Sequence, residues 1–210
     1  MVSDPFESSD AKLLRRTTEE CASFLDSLVG LDWTARIPDI DWDIATAIAH
    51  ATTALMWYSM DLRAGPEELS TQEIGVKPDS PPQELVRTMR TTSFLLASVI
   101  ESTGPEVRGY HPWGMADASG FRAMACDELL VHTDDAARGL GSEFIPSAEI
   151  AGRTVDRLFP WAPSGYEAWA TLKWANGRSG LADRPRLTKW RWHCAPLSEW
   201  DGVDPTPGWT

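Results

Sequence analysis

Four long segments with helical periodicity, each bounded by glycine, proline or a capping side chain, constrain the fold of this chain most strongly. Residues 7–29 carry Leu13, Leu14, Cys21, Phe24, Leu25 and Leu28 at near-helical spacing, with Ser8, Ser9 or Asp10 available as caps. A second helix fits residues 41–65, from a cap at Asp41 or Asp43 to Gly65. A third covers residues 81–104, with Pro82 in its first turn and Gly104 at its end. A fourth covers residues 120–141 and stops at Gly139 or Gly141. Four such rods joined by loops make a four-helix bundle the economical all-α fold. Residues 1–145 are the expected bundle, and residues 146–210 an extension packed on it. In that extension, 146–161 and 164–177 suggest two short helices, and 184–197 alternates enough for a strand or an extended strap. Seven of the eleven tryptophans fall in the last fifty residues, so the extension is expected to pack by aromatic contact.

Composition removes several function classes. The formal net charge is −12 and no basic stripe is visible, which argues against nucleic acid as a partner. No apolar run is long enough for a membrane span, and the polar, acidic N-terminus lacks the pattern of a signal peptide. Cys21, Cys126 and Cys194 are odd in number and widely spaced, which fits a reducing cytoplasm better than a disulfide framework. Either a monomer or a homodimer is compatible with these features.

The segment "CDELLVHTDD", residues 126–135, carries the chemical signal. At roughly 100° per residue, His132 falls about 40° from Glu128 on the helical wheel, and Asp135 about 20° the other way. Phe121, Met124, Ala125 and Val131 share the sector, so three ionisable groups sit on an apolar face. An unpaired carboxylate there is costly, and a cation relieves it. The E-x₃-H spacing projects two ligand atoms side by side; an ordinary acid–histidine pair is the structural alternative. On the second helix, His50 shares a sector with Thr46, Ala47, Thr53, Ala54, Trp57 and Asp61. If the two helices are neighbours, His50, Glu128 and His132 form a His₂Glu metal set with an open coordination position. Asp135 is the candidate that hydrogen-bonds a ligand or the substrate.

Two motifs, "WDIATAIAH" at 42–50 and "DELLVHTDDAARGLG" at 127–141, resemble those of the DinB-like superfamily, in its mycothiol-dependent maleylpyruvate isomerase N-terminal-domain group. The similarity covers about residues 8–141. It implies a four-helix bundle in which His50, Glu128 and His132 bind a divalent metal. Zinc is the expected ion, with nickel or another divalent ion as the alternative. It also implies mycothiol as a low-molecular-weight thiol cosubstrate and a small electrophile as substrate. The reaction is then sulfur transfer or thiol-assisted isomerisation, because a metal holds a thiol in its nucleophilic form. A thiol-independent isomerase, hydrolase or tailoring enzyme is the alternative, and a non-enzymatic metal- or ligand-binding module is a third reading. Thr133 stands where the family often has a basic residue.

Other residues have two readings each. His111 lies in the long glycine- and proline-containing loop before the fourth helix; it is a candidate acid/base group or fourth ligand, or else a packed loop histidine. Trp57 and Tyr58 are candidates to line the cofactor pocket, or else core residues. Arg184, Arg186 and Arg191 are candidates to face a carboxylate-bearing substrate, although no motif assigns them. Arg122 is expected at the surface, and Cys126 as a small buried residue.

Overall fold

The computed structural model describes residues 9–204. The expected cap at Ser8, the start of the first helix and Trp209 lie outside the described residues. Among the described residues there are six α-helices: α1 Ser9–Asp26, α2 Ile44–Ala64, α3 Pro82–Glu101, α4 Ala118–Gly139, α5 Ala148–Leu158 and α6 Ala168–Ala175. Among the described residues there is no sheet. The tail after α6 is an extended strap that ends in a short 3₁₀ turn, Leu197–Glu199.

Helix ends follow local chemistry. Asp43 caps α2 by accepting from the Thr46 N–H at 2.7 Å. Gly65 ends α2 at φ +99°, and its N–H reaches the Asp61 carbonyl. Pro82 opens α3, but that helix stops at Glu101, short of Gly104. α4 begins before the glycine at 120, because Asp117 accepts from the Gly120 N–H at 2.8 Å and takes the cap.

The first four helices form a square in the order α1, α3, α2, α4, so α2 and α4 are adjacent and α3 and α4 lie across the diagonal. Contacts between Ile44 and Gly139, His50 and His132, and Tyr58 and Phe121 show that α2 and α4 run antiparallel. The α4 helix also packs against α5, and α5 against α6. Buried side chains from the tail, among them Trp169, Leu172, Trp192 and Cys194, belong to the same hydrophobic core as the bundle.

As a result every residue from Gly120 to Ala137 is buried. This corrects the expectation for Arg122. The wheel turns it away from the apolar sector, yet it is 4 % exposed, and its Nε donates to Asp10 at 3.1 Å. The α4 helix has no solvent face to which a polar residue can turn. Cys126 is buried as expected, with Sγ 3.4 Å from Thr17 Oγ1.

Candidate metal centre

Adjacent, antiparallel α2 and α4 bring His50, Glu128 and His132 together, with one potential ligand atom from each within 4.8 Å of the others. Glu128 Oε2 lies 3.2 Å from His132 Nε2 and 3.7 Å from His50 Nε2. Oε2 is buried, and neither contact makes a hydrogen bond. The other oxygen, Oε1, accepts from the Tyr58 hydroxyl at 3.3 Å. That bond turns Oε2 towards the imidazoles. A buried carboxylate oxygen beside two imidazole nitrogens is a donor set that fits a divalent cation.

Asp135 holds the far side of His132, with Oδ2 3.1 Å from Nδ1. Arg178 clamps Asp135 through Nε and Nη2, at 3.1 and 2.9 Å, and Arg138 Nη2 adds a contact at 2.5 Å. Burial works against a charged His132, but Asp135 and Glu128 overcome it and raise its pKa to about 9. Burial lowers His50, with Glu128 opposing. Burial would raise Glu128, yet His132 brings the net shift down. Asp135 is likewise pulled down by His132 and Arg178 against the effect of burial. Both carboxylates are therefore anionic at neutral pH.

The triad lies in a cavity of about 700 Å³. Trp42 forms one wall, with ring centroids 4.8 Å from His50 and 5.8 Å from His132. Asp127 faces the same space from α4 and accepts from Asn176 Nδ2 at 2.8 Å and Trp192 Nε1 at 3.0 Å. Tyr58 lines this cavity; Trp57 lines a second, adjoining one.

The 104–117 loop carries His111 to the rim of both cavities, outside the triad. Its Nδ1 accepts from the Trp113 N–H at 3.1 Å and lies 3.4 Å from Cys194 Sγ. Burial lowers its pKa to about 4. A neutral ring whose Nδ1 accepts carries its proton on Nε2. Gly109 seats the loop, because a Cβ there would come within 2.7 Å of the Asp61 carbonyl and the Leu62 backbone.

The tail arginines separate. Arg186 lines the large cavity, with Nε donating to the Gly177 carbonyl. Arg191 Nη2 donates to the Trp113 carbonyl, and Arg184 sits in a turn bridged to Leu181. The residues sequence reasoning missed are Trp42 as a wall, and Asp127, Asn176, Arg178 and Trp192 as supports. Trp42 was visible as the first residue of the motif that ends at His50. Nothing in the spacing marks the others.

The family model of the mycothiol maleylpyruvate isomerase N-terminal domain matches residues 14–137, more than half of the chain. The chain belongs to this family. No curated protein and no solved structure matches it. The match in this mycothiol maleylpyruvate isomerase N-terminal domain ends just before Arg138. Asn176, Arg178, Arg186, Trp190 and Trp192 therefore line the cavity from outside the matched region.

Proposed function

We propose that the chain is a divalent-metal-dependent enzyme that uses mycothiol, a low-molecular-weight thiol, to transfer sulfur to a small electrophile or to isomerise it. His50, Glu128 and His132 hold the metal, zinc in the first instance and nickel as the alternative. One observation carries the reading: Glu128 Oε2 is buried, has no hydrogen bond and lies against both Nε2 atoms. The bound ion supplies positive charge that keeps a thiol as thiolate near neutral pH or polarises a carbonyl.

The protein's own groups do the rest. Asp135 draws the His132 proton to Nδ1 and so leaves Nε2 free as a ligand. Arg178 and Arg138 hold that carboxylate in place. Tyr58 keeps Glu128 turned towards the imidazoles, and Trp42 packs beside both rings. His111, neutral with its proton on Nε2, donates a hydrogen bond to a substrate oxygen. Arg186 meets a carboxylate at the cavity wall. A cytoplasmic location accompanies this reading, with all three cysteines free and buried.

The test is elemental analysis of the purified protein with His50→Ala and Glu128→Gln variants, followed by thermal melts with mycothiol. About one divalent ion per chain in the wild type, lost in both variants, is the expected result. Stabilisation by mycothiol only in the metal-loaded protein supports the thiol. Turnover of an electrophile without thiol transfers the assignment to a thiol-independent metal enzyme. A wild-type protein that refuses every divalent ion ends the proposal.

A further inference from the structure

The cavity at the candidate metal centre is walled by aromatic rings. Aromatic residues make up 10 % of the chain, yet Trp42, Trp113, Trp190 and Trp192, four of its eleven tryptophans, line this one space. Trp192 is buried, but Trp42, Trp113 and Trp190 are only half-buried. Trp33, Trp169 and Trp174, which pack into the core, are closed off from solvent. Large apolar ring surface therefore stays open on a cavity of about 700 Å³, roomy enough for an organic guest of two fused rings.

The rings are set as a corner rather than a stack. Trp113 stands at 88° to Trp190 and at 65° to Trp192, with centroids 5.5 and 5.0 Å apart. Trp190 and Trp192 are inclined at 55°, 5.8 Å apart. The corner is braced from behind, since Trp190 packs on Phe159 and Trp192 Nε1 donates to Asp127. It also reaches the metal ligands. Trp113 and Trp192 both meet His111, His111 meets Tyr58, and the Tyr58 hydroxyl donates to Glu128.

Such a corner favours a flat aromatic guest. Aromatic rings attract one another in offset-stacked or edge-to-face contact, and two walls near a right angle offer both to one guest. A saturated ring of the same size is thicker and has no ring quadrupole. A sugar ring would ask for partners for its hydroxyls, but Asp127, beside Trp192, already has both oxygens engaged by Asn176 and Trp192. Trp190 and Trp192 lie beyond residue 137, where the family match ends, so the tail supplies two of the three rings.

We infer that this cavity selects a planar aromatic group, seated in the corner of Trp113, Trp190 and Trp192, and that the electrophile handled at the metal centre carries such a group. Only the second statement rests on the function proposed above; the ring preference itself needs no metal.

The test compares 2-naphthoate with decahydro-2-naphthoate. Both carry one carboxylate, so contacts with arginine or metal cancel in the comparison. The saturated compound is the more apolar, so burial of apolar surface alone would favour it. Each is titrated calorimetrically into the whole protein, with metal loaded and after chelation. In both states 2-naphthoate is expected to bind saturably, and more tightly than the saturated analogue by about fivefold or more. Trp190→Leu removes that preference and Trp190→Phe, which keeps a ring, retains it. Trp200→Leu, at a separate pocket near the end of the strap, leaves it unchanged. Absence of saturable 2-naphthoate binding, equal or tighter binding of the saturated analogue, or a preference that persists in Trp190→Leu overturns the inference. The first two outcomes are read on the wild type and do not depend on how the variants fold. Metal content of the same samples separates the two proposals. A protein that keeps its metal but shows no ring preference leaves the enzyme reading intact. A ring preference in a protein that takes up no metal keeps the aromatic site and overturns its link to the reaction.

Discussion

At the residue scale, Glu128 gives one oxygen to the Tyr58 hydroxyl and keeps the other, buried and without a hydrogen bond, between two imidazoles. Asp135 touches the far nitrogen of His132 and lies outside the candidate ligand set. Asp135→Asn is expected to lower metal affinity by about 10- to 100-fold while the helical signal persists, as measured by competition with a chelating dye. The metal-free protein should also show a pH signature. The pKa of His132 is raised in the folded state to about 9, from 6.5. Its contribution to stability is therefore complete below pH 6.5 and is lost as pH rises through about 9. Urea melts of the chelated protein should show a stability loss between pH 6 and pH 10 that is larger in the wild type than in His132→Gln. An equal loss in both would remove His132 as its source.

At the element scale, the sequence displayed the helices because each is long, periodic and punctuated: Asp43, Gly65 and Pro82 stand where the structure caps α2 and opens α3. The order of the helices around the square is not written in any one of them, so the neighbourhood of α2 and α4 was a condition of the argument. His50, Glu128 and His132 were legible because helical spacing aligns two of them and a motif supplies the third. Arg178, Asn176 and Trp192 were not, because side-chain bonds between distant segments leave no period. The error at Arg122 has the same root, since a helix wheel has no view of a tail that closes over its outer face. The loop after α3 offers a test at this scale. Gly109→Ala forces the chain away from the α2 backbone and should cost about 1–3 kcal/mol, read from denaturant midpoints. It should also perturb the emission of Trp113 and Trp192, which border His111.

At the scale of the whole molecule, the tail completes the core. Asp127 and Asp135, both buried, take hydrogen bonds from Asn176, Trp192 and Arg178. Gly120 lets the strap approach so closely that a Cβ would come within 2.6 Å of the Cys194 carbonyl. A chain cut after residue 145 would strip Asp127 of both its donors and Asp135 of Arg178, and would leave the outer side of α4 bare. It is expected to be poorly soluble or to bind a hydrophobic dye without a cooperative melt. A cooperative melt of the shortened chain would contradict that view. The complete burial of α4 also bears on how such a scaffold changes its chemistry. Where the rod that bears Glu128 and His132 has no outward side, substitutions along it disturb packing before they alter selectivity. Selectivity is then expected to change at the rim, at exposed cavity-lining positions such as Asp39 and Glu68.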